Sequence, residues 1–139
     1  MITIKNIILA LLLAASSTLC FAQCDQTSTL TSSLTTYLNE KGEVEKTKDE
    51  ETIITITKTD ITIAPGEGNP VSGAIKSSVC NWTTPFKEGK TFLTTTIVDG
   101  SREMHATVTI EGKSGKVTLT FEALEMPGKK ILVVADKFE

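Results

Sequence analysis

The side chain best suited to acid–base chemistry at neutral pH is the single histidine, His105. Strict alternation of residue type along the segment around it places Met104 and Ala106 on one face of a strand and His105 on the opposite, solvent-facing side. No serine or cysteine stands in a spacing that defines a nucleophile–base arrangement with this histidine. We therefore expect a surface histidine and no catalytic residues.

The acidic residues are the other groups that could do chemistry. The chain has 17 of them, enough to include a glycosidase-type carboxylate pair, but its single tryptophan and 5% aromatic content argue against a sugar cleft. The run Asp49-Glu50-Glu51 could offer oxygen ligands to calcium, yet it lacks the alternating acidic residues and glycine of an EF-hand loop. We interpret this run as a charged turn before an isoleucine-rich strand.

Transition-metal chemistry is disfavoured by the same composition. One histidine and the few cysteines cannot supply an ordinary zinc or copper ligand set. The sequence therefore predicts no metal site and no cofactor, and an enzyme is the least favoured class of function.

The first 22 residues have the three parts of a secretory signal peptide. Lys5 supplies a positive charge, residues 7–15 form a short apolar run, and Cys20 and Ala22 place small residues before a cleavage point. The apolar run is shorter than the roughly 20 residues that a membrane-spanning helix needs. We predict a cleaved signal at 1–22 and one exported domain at 23–139, located in the periplasm or outside the cell.

Two cysteines, Cys24 and Cys80, remain in the predicted mature chain. An even pair in an oxidising compartment indicates a disulfide, with two free thiols as the alternative. The bond would close a loop of about 57 residues and contribute roughly 4 kcal/mol in the chain-entropy model. It would also hold the new N-terminus, which would otherwise fray.

Charge excludes one class of partner. The chain has a formal net charge of −3 and no cluster of lysine or arginine, so neither nucleic acid nor an anionic membrane surface is an expected partner. No apolar run after the signal is long enough to span a membrane.

The period of the hydrophobic pattern is two, which is typical of strands. Residues 104–110 and 117–123 alternate in this way and flank the turn segment 112–115, so they predict a hairpin. Residues 54–56 and 61–63 predict a second hairpin, and Asp99-Gly100 predicts a tight turn. The spacing also places Leu30, Leu34 and Leu38 on one face of the first strand. Residues 131–135 form the last strand, which is either central, because it is apolar on both faces, or an edge that pairs with another chain.

These elements amount to about eight or nine short strands and no long helix. They predict an all-β antiparallel meander, either closed as a lipocalin-like barrel or folded as a β-sandwich. Lipocalins and fatty-acid-binding proteins have this architecture, but the Gly-x-Trp of their first strand is absent here. The analogy with their ligand binding therefore holds only at the level of fold.

The segment 80–86 is the most distinctive of the chain. If it is extended, Cys80 and Trp82 share one face, so the tryptophan would pack beside the disulfide. The alternative is an exposed loop in which Trp82, Pro85 and Phe86 contact a ligand or a partner.

Two resemblances bear on function. The loop Asn69-Pro70-Val71-Ser72-Gly73 resembles the Asn-Pro-Thr-Thr-Gly loop of chagasin-type protease inhibitors, although Val71 and Ser72 replace both threonines. That resemblance implies an inhibitor-like domain whose end loops, 66–70 and 82–86, contact a protein side by side.

The predicted mature chain as a whole resembles a group of small secreted proteins of Bacteroidota. The resemblance rests on Gln23-Cys24-Asp25, on Cys80-Asn81-Trp82 with the segment 85–91, on 109–113 and on the ending 136–139. It implies export but assigns no residue a role. The sequence thus favours a non-catalytic module that either binds a small apolar ligand or has a structural role. A protein-interaction domain is the alternative.

Overall fold

The structure is a computed structural model that describes residues 22–139. The predicted signal peptide lies outside the described residues, apart from its final Ala22. One short helix precedes nine strands, and their bounds are α1 Ala22–Asp25, β1 Ser28–Leu38, β2 Val44–Ile56, β3 Asp60–Pro65, β4 Val71–Thr84, β5 Glu88–Asp99, β6 Arg102–Lys113, β7 Lys116–Ala123, β8 Lys130–Val134 and β9 Lys137–Phe138.

The strands form a closed antiparallel barrel. Each strand from β1 to β7 pairs with the next one in sequence, and β8 pairs back onto β1. Closure removes the exposed sheet edges that an open meander would leave. The all-β fold with eight or nine strands is confirmed, and the barrel rather than the sandwich is the architecture present.

The segment predicted as the last strand closes the barrel. β8 lies between β7 and β1, so of the two alternatives for this strand it is central and not an edge. It is followed by the two-residue β9, which the sequence did not indicate. β9 pairs with β1 in the same register as β8. Val133 of β8 pairs with Thr35, and Lys137 of β9, four residues later, pairs with Thr31, four residues earlier in β1.

The predicted tight turns are confirmed. Ser114 and Gly115 have φ values of 52° and 82° between β6 and β7, the backbone conformation that joins two strands most tightly. Gly100 follows Asp99 with a φ of 63° and connects β5 to β6.

Two predictions about individual strands are wrong. The pairing of β1 with β2 shifts between Ser32 and Leu34, so alternation resumes one residue later and Leu34 is 39% exposed instead of sharing the buried face of Leu30. The run 49–51 is not a turn, because it lies inside β2, where Asp49 pairs with Leu34 of β1.

The barrel has two different ends because consecutive connections of a meander alternate between them. The connections at 57–59, 85–87 and 114–115 lie at one end, together with α1, and we call it the closed end. The connections at 39–43, 66–70, 100–101 and 124–129 lie at the other, which we call the open end. A continuous set of buried apolar side chains fills the barrel between them.

Candidate ligand-binding site

The closed end is sealed by the N-terminal segment. Cys24 of α1 is disulfide-bonded to Cys80 of β4, as predicted. The neighbouring Gln23 is buried, and its Oε1 accepts a hydrogen bond from the backbone N–H of Phe86 at 2.6 Å. These two connections hold α1 against the barrel.

The distinctive segment 80–86 contributes to this sealed end and does not form an exposed binding loop. Trp82 is 8% exposed, and its Nε1 donates a hydrogen bond to Thr91 Oγ1 at 2.8 Å. Its ring and that of Phe86 both pack against Phe138, with centroids 5.7 and 5.0 Å apart. Of the three residues considered for ligand contact, only Pro85 is exposed. Trp82 and Cys80 share one face of β4, as predicted, because Thr91 Oγ1 accepts a hydrogen bond from Trp82 Nε1 and donates one to Cys80 Sγ.

The open end of the barrel contains a cavity of about 250 Å³. Ile54, Ile97 and Leu119, each at most 2% exposed, are its most deeply buried lining residues. Farther up, the walls are formed by residues of all eight barrel strands. Most of them are apolar, and they include Ile63, Val71, Met104, Phe121, Ile131 and Val133.

A few polar groups interrupt this apolar lining, as is typical of sites for small molecules. Thr35 and Tyr37 of β1 face the cavity because the bulge after Ser32 turns them inward. Lys46 Nζ lies 4.8 Å from the centroid of the Tyr37 ring, in a cation–π arrangement. The site is therefore apolar at its base and polar along one wall.

Glu50 is the charged group most deeply placed in that wall. Its side chain is only 7% exposed, although it lines the cavity. Its Oε2 accepts a hydrogen bond from the backbone N–H of Glu67 at 3.3 Å and lies 3.6 Å from Lys48 Nζ. Within residues 22–139, Oε1 makes no hydrogen bond of its own.

A second depression lies on the outer surface of β4 and β5. Val79, Asn81, Lys90 and Phe92 line it, and all four are exposed. It is larger, about 600 Å³, but it is a shallow groove that would leave a ligand largely in contact with water. The internal cavity is therefore the better candidate for binding a small molecule.

The two loops of the inhibitor-like alternative do not lie side by side. Residues 66–70 join β3 to β4 at the open end, whereas 85–87 join β4 to β5 at the closed end. The length of β4 separates them, so a single protein partner could not contact both as that alternative requires.

His105 lies on the outer surface, as expected from the alternation. Its backbone N–H donates to both carboxylate oxygens of Glu125, at 3.0 and 3.1 Å, and its Nδ1 lies 2.8 Å from Glu125 Oε1. The hydrogen bond from the His105 backbone, followed by that from its ring, lowers the pKa of Glu125. This pair fixes the β7–β8 connection to the open end of the barrel. In the described part of the chain no three histidine, cysteine or acidic side chains gather into a metal site.

Sequence reasoning missed the polar wall of the cavity. The even positions of β2 run inward from Ile56 and Ile54 through Thr52, and continuing that alternation would have placed Glu50 inside. The interpretation of 49–51 as a turn concealed this signal. The inward position of Tyr37 had no comparable signal, because the bulge that creates it interrupts the alternation.

Comparison with known proteins gives no further guide to the site. No protein-family model matches the chain, and a search of curated proteins finds no match. Among residues 22–139, no helix is both long enough and apolar enough to cross a membrane.

Proposed function

We propose that this protein is an exported, non-catalytic binding module that holds a small apolar molecule in the open end of its barrel. The observation that supports the proposal is the internal cavity of about 250 Å³, which has an apolar base and a small number of polar groups. Engineered apolar cavities of about 150 Å³ bind benzene, so this volume suits a ligand of one ring with a short substituent.

The sealed end supports the same proposal. The disulfide of Cys24 with Cys80 and the buried Trp82 hold that end of the barrel together, and none of the three residues lines the cavity. A ligand could enter and leave at the open end without disturbing the core that holds the fold. The disulfide is also what an oxidising, extracytoplasmic compartment permits.

A matched pair of substitutions on β8 tests the proposal. Ile131 lines the cavity, whereas its neighbour Leu132 points to the outer surface. We expect isothermal titration calorimetry with 2-phenylethanol to detect binding to the wild type and to Leu132→Trp. Ile131→Trp should weaken binding at least about tenfold, because the indole fills the cavity. Absence of binding to the wild type, or equal binding to both variants, would refute the proposal.

A further inference from the structure

We propose that Glu50 makes the cavity selective for small apolar amines, with the protonated amino group of the ligand bound to its carboxylate. This inference rests on the proposed function, because it specifies the chemistry of the molecule held in the same cavity.

The carboxylate of Glu50 lies inside the barrel, among apolar side chains. Glu50 lies on the inward face of β2, its side chain is 93% removed from solvent, and it shares the cavity with Ile54, Ile63 and Val71. A carboxylate is costly to place among apolar groups unless it is paired or hydrogen-bonded. Its oxygens must therefore be hydrogen-bonded or reach the solvent of the cavity, and among residues 22–139 no fully buried side-chain oxygen lacks a hydrogen-bond partner.

The protein itself provides partners for one of the two oxygens, and the other is reached by solvent. Both polar contacts of Glu50 involve Oε2: the N–H of Glu67 at 3.3 Å and the Lys48 ammonium at 3.6 Å. The lysine side chain is 40% exposed, and its distance is longer than a hydrogen bond. Oε1 is thus available for a donor supplied by a ligand.

The charge of the cavity lining restricts the chemistry of a ligand. An ionised carboxylate only accepts hydrogen bonds, so it favours a group that donates them and repels an anion. Asp99 adds a second carboxylate to the lining, whereas Lys46 and Lys48, which continue the inward face of β2 beyond Glu50, are not among the lining residues. The two carboxylates of the lining favour a cation over a neutral or anionic ligand.

The apolar base determines the rest of the ligand. Ile54, Ile97 and Leu119 are nearly inaccessible to water and offer no polar group to a ligand. The molecule that fits both regions has an apolar body of about one ring and a terminal ammonium group. Polyamines and amino acids, which carry further charges, would leave charged groups against the apolar base.

Three probes of nearly equal shape test the inference: 2-phenylethylamine, 2-phenylethanol and 3-phenylpropionate. We expect calorimetry on the disulfide-bonded protein to give an affinity for the amine at least about tenfold above that for the alcohol, with the carboxylate weakest. Glu50→Gln should abolish the preference between amine and alcohol. The glutamine can still accept the hydrogen bond from Glu67 through its amide oxygen, so the fold is expected to be retained, and thermal unfolding checks this.

The matched control is Glu51→Gln. Glu51 is adjacent in sequence but exposed, on the outward face of β2, so its substitution should leave the preference for the amine unchanged. Equal affinities of the wild type for amine and alcohol would overturn the inference and leave the proposed function intact. A preference that persists in a folded Glu50→Gln variant would do the same. Failure of all three probes to bind would refute the proposed function as well.

Discussion

Ser32 and Leu34 are joined by two hydrogen bonds across the bulge in the pairing of β1 with β2. The Ser32 hydroxyl donates to the Leu34 carbonyl at 3.0 Å and accepts from the Leu34 N–H at 3.3 Å. The serine is completely buried, and the bulge turns Thr35 and Tyr37 toward the cavity. One buried hydroxyl therefore helps to set the polar wall of the candidate site.

Replacing Ser32 with alanine should loosen this bulge. We expect Ser32→Ala to lower the free energy of unfolding by about 1 kcal/mol, because the Leu34 N–H loses its partner. It should also weaken the binding of 2-phenylethanol, since Tyr37 is no longer held in place. Ser33→Ala, at the exposed neighbouring position, should change stability by less than about 0.5 kcal/mol. Equal effects of the two substitutions in urea unfolding would contradict this account of the bulge.

The disulfide should contribute a large part of the stability. Cys24 and Cys80 are 56 positions apart, and a loop of that length corresponds to roughly 4 kcal/mol. The double variant Cys24→Ser/Cys80→Ser should unfold at a correspondingly lower urea concentration. The intact mass of the wild type should be lighter than the free-thiol form by two hydrogens. A wild-type mass with both thiols free would contradict the pairing.

The packing of Trp82 against β6 depends on a glycine. A Cβ on Gly112 would lie 2.7 Å from Trp82 Cζ3 and 2.6 Å from the Lys87 carbonyl oxygen. We expect Gly112→Ala to destabilise the protein by about 2 kcal/mol through overpacking and to shift the fluorescence of its single tryptophan.

Gly100→Ala is the control for that substitution. Gly100 has a φ of 63° but open space around its Cβ position, so alanine there adds only backbone strain of about 1 kcal/mol. The emission of Trp82 should not change in this variant. A Gly112→Ala protein with unaltered fluorescence and stability would show that the tryptophan does not pack on β6 as described.

The pairing of His105 with Glu125 predicts a dependence of stability on pH. Hydrogen bonds from His105 lower the pKa of Glu125, so the native state binds a proton less readily than the unfolded chain. The resulting stabilisation is present above the ordinary glutamate pKa and is lost as the pH falls through the lower native value. In Glu125→Gln the acid-side decline in stability should be shallower than in the wild type.

Glu103→Gln is the matched control for this effect. Glu103 lies 3.8 Å from His105 Nε2 but does not accept the backbone hydrogen bond. Its removal should leave the slope of urea stability against pH below about pH 4.5 nearly unchanged. Identical slopes for the wild type and Glu125→Gln would contradict the prediction.

Several features of this fold could be predicted from the sequence, because they depend on the types of neighbouring residues or on the number of cysteines. Alternation in β6 and β7, the turn at Ser114-Gly115 and the pairing of Cys24 with Cys80 each follow from neighbouring residues or from cysteine count. The position of Leu34 could not be predicted, because a bulge shifts the alternation by one residue without an unusual residue type. The burial of Glu50 contradicts the ordinary preference of a charged residue for solvent. The closure that places Tyr37 and Glu50 in one cavity depends on pairing between β8 and β1, at opposite ends of the chain.

The central claim is that a small apolar molecule binds inside the open end of the barrel. The most direct test is a 2-phenylethanol titration of protein carrying ¹³C-labelled isoleucine methyl groups, followed by NMR. We predict large shifts for the cavity-lining Ile63, Ile97 and Ile131, and none for Ile110 near the closed end or for the outward-facing Ile53. An unchanged spectrum, or shifts confined to methyl groups outside the cavity, would contradict the account.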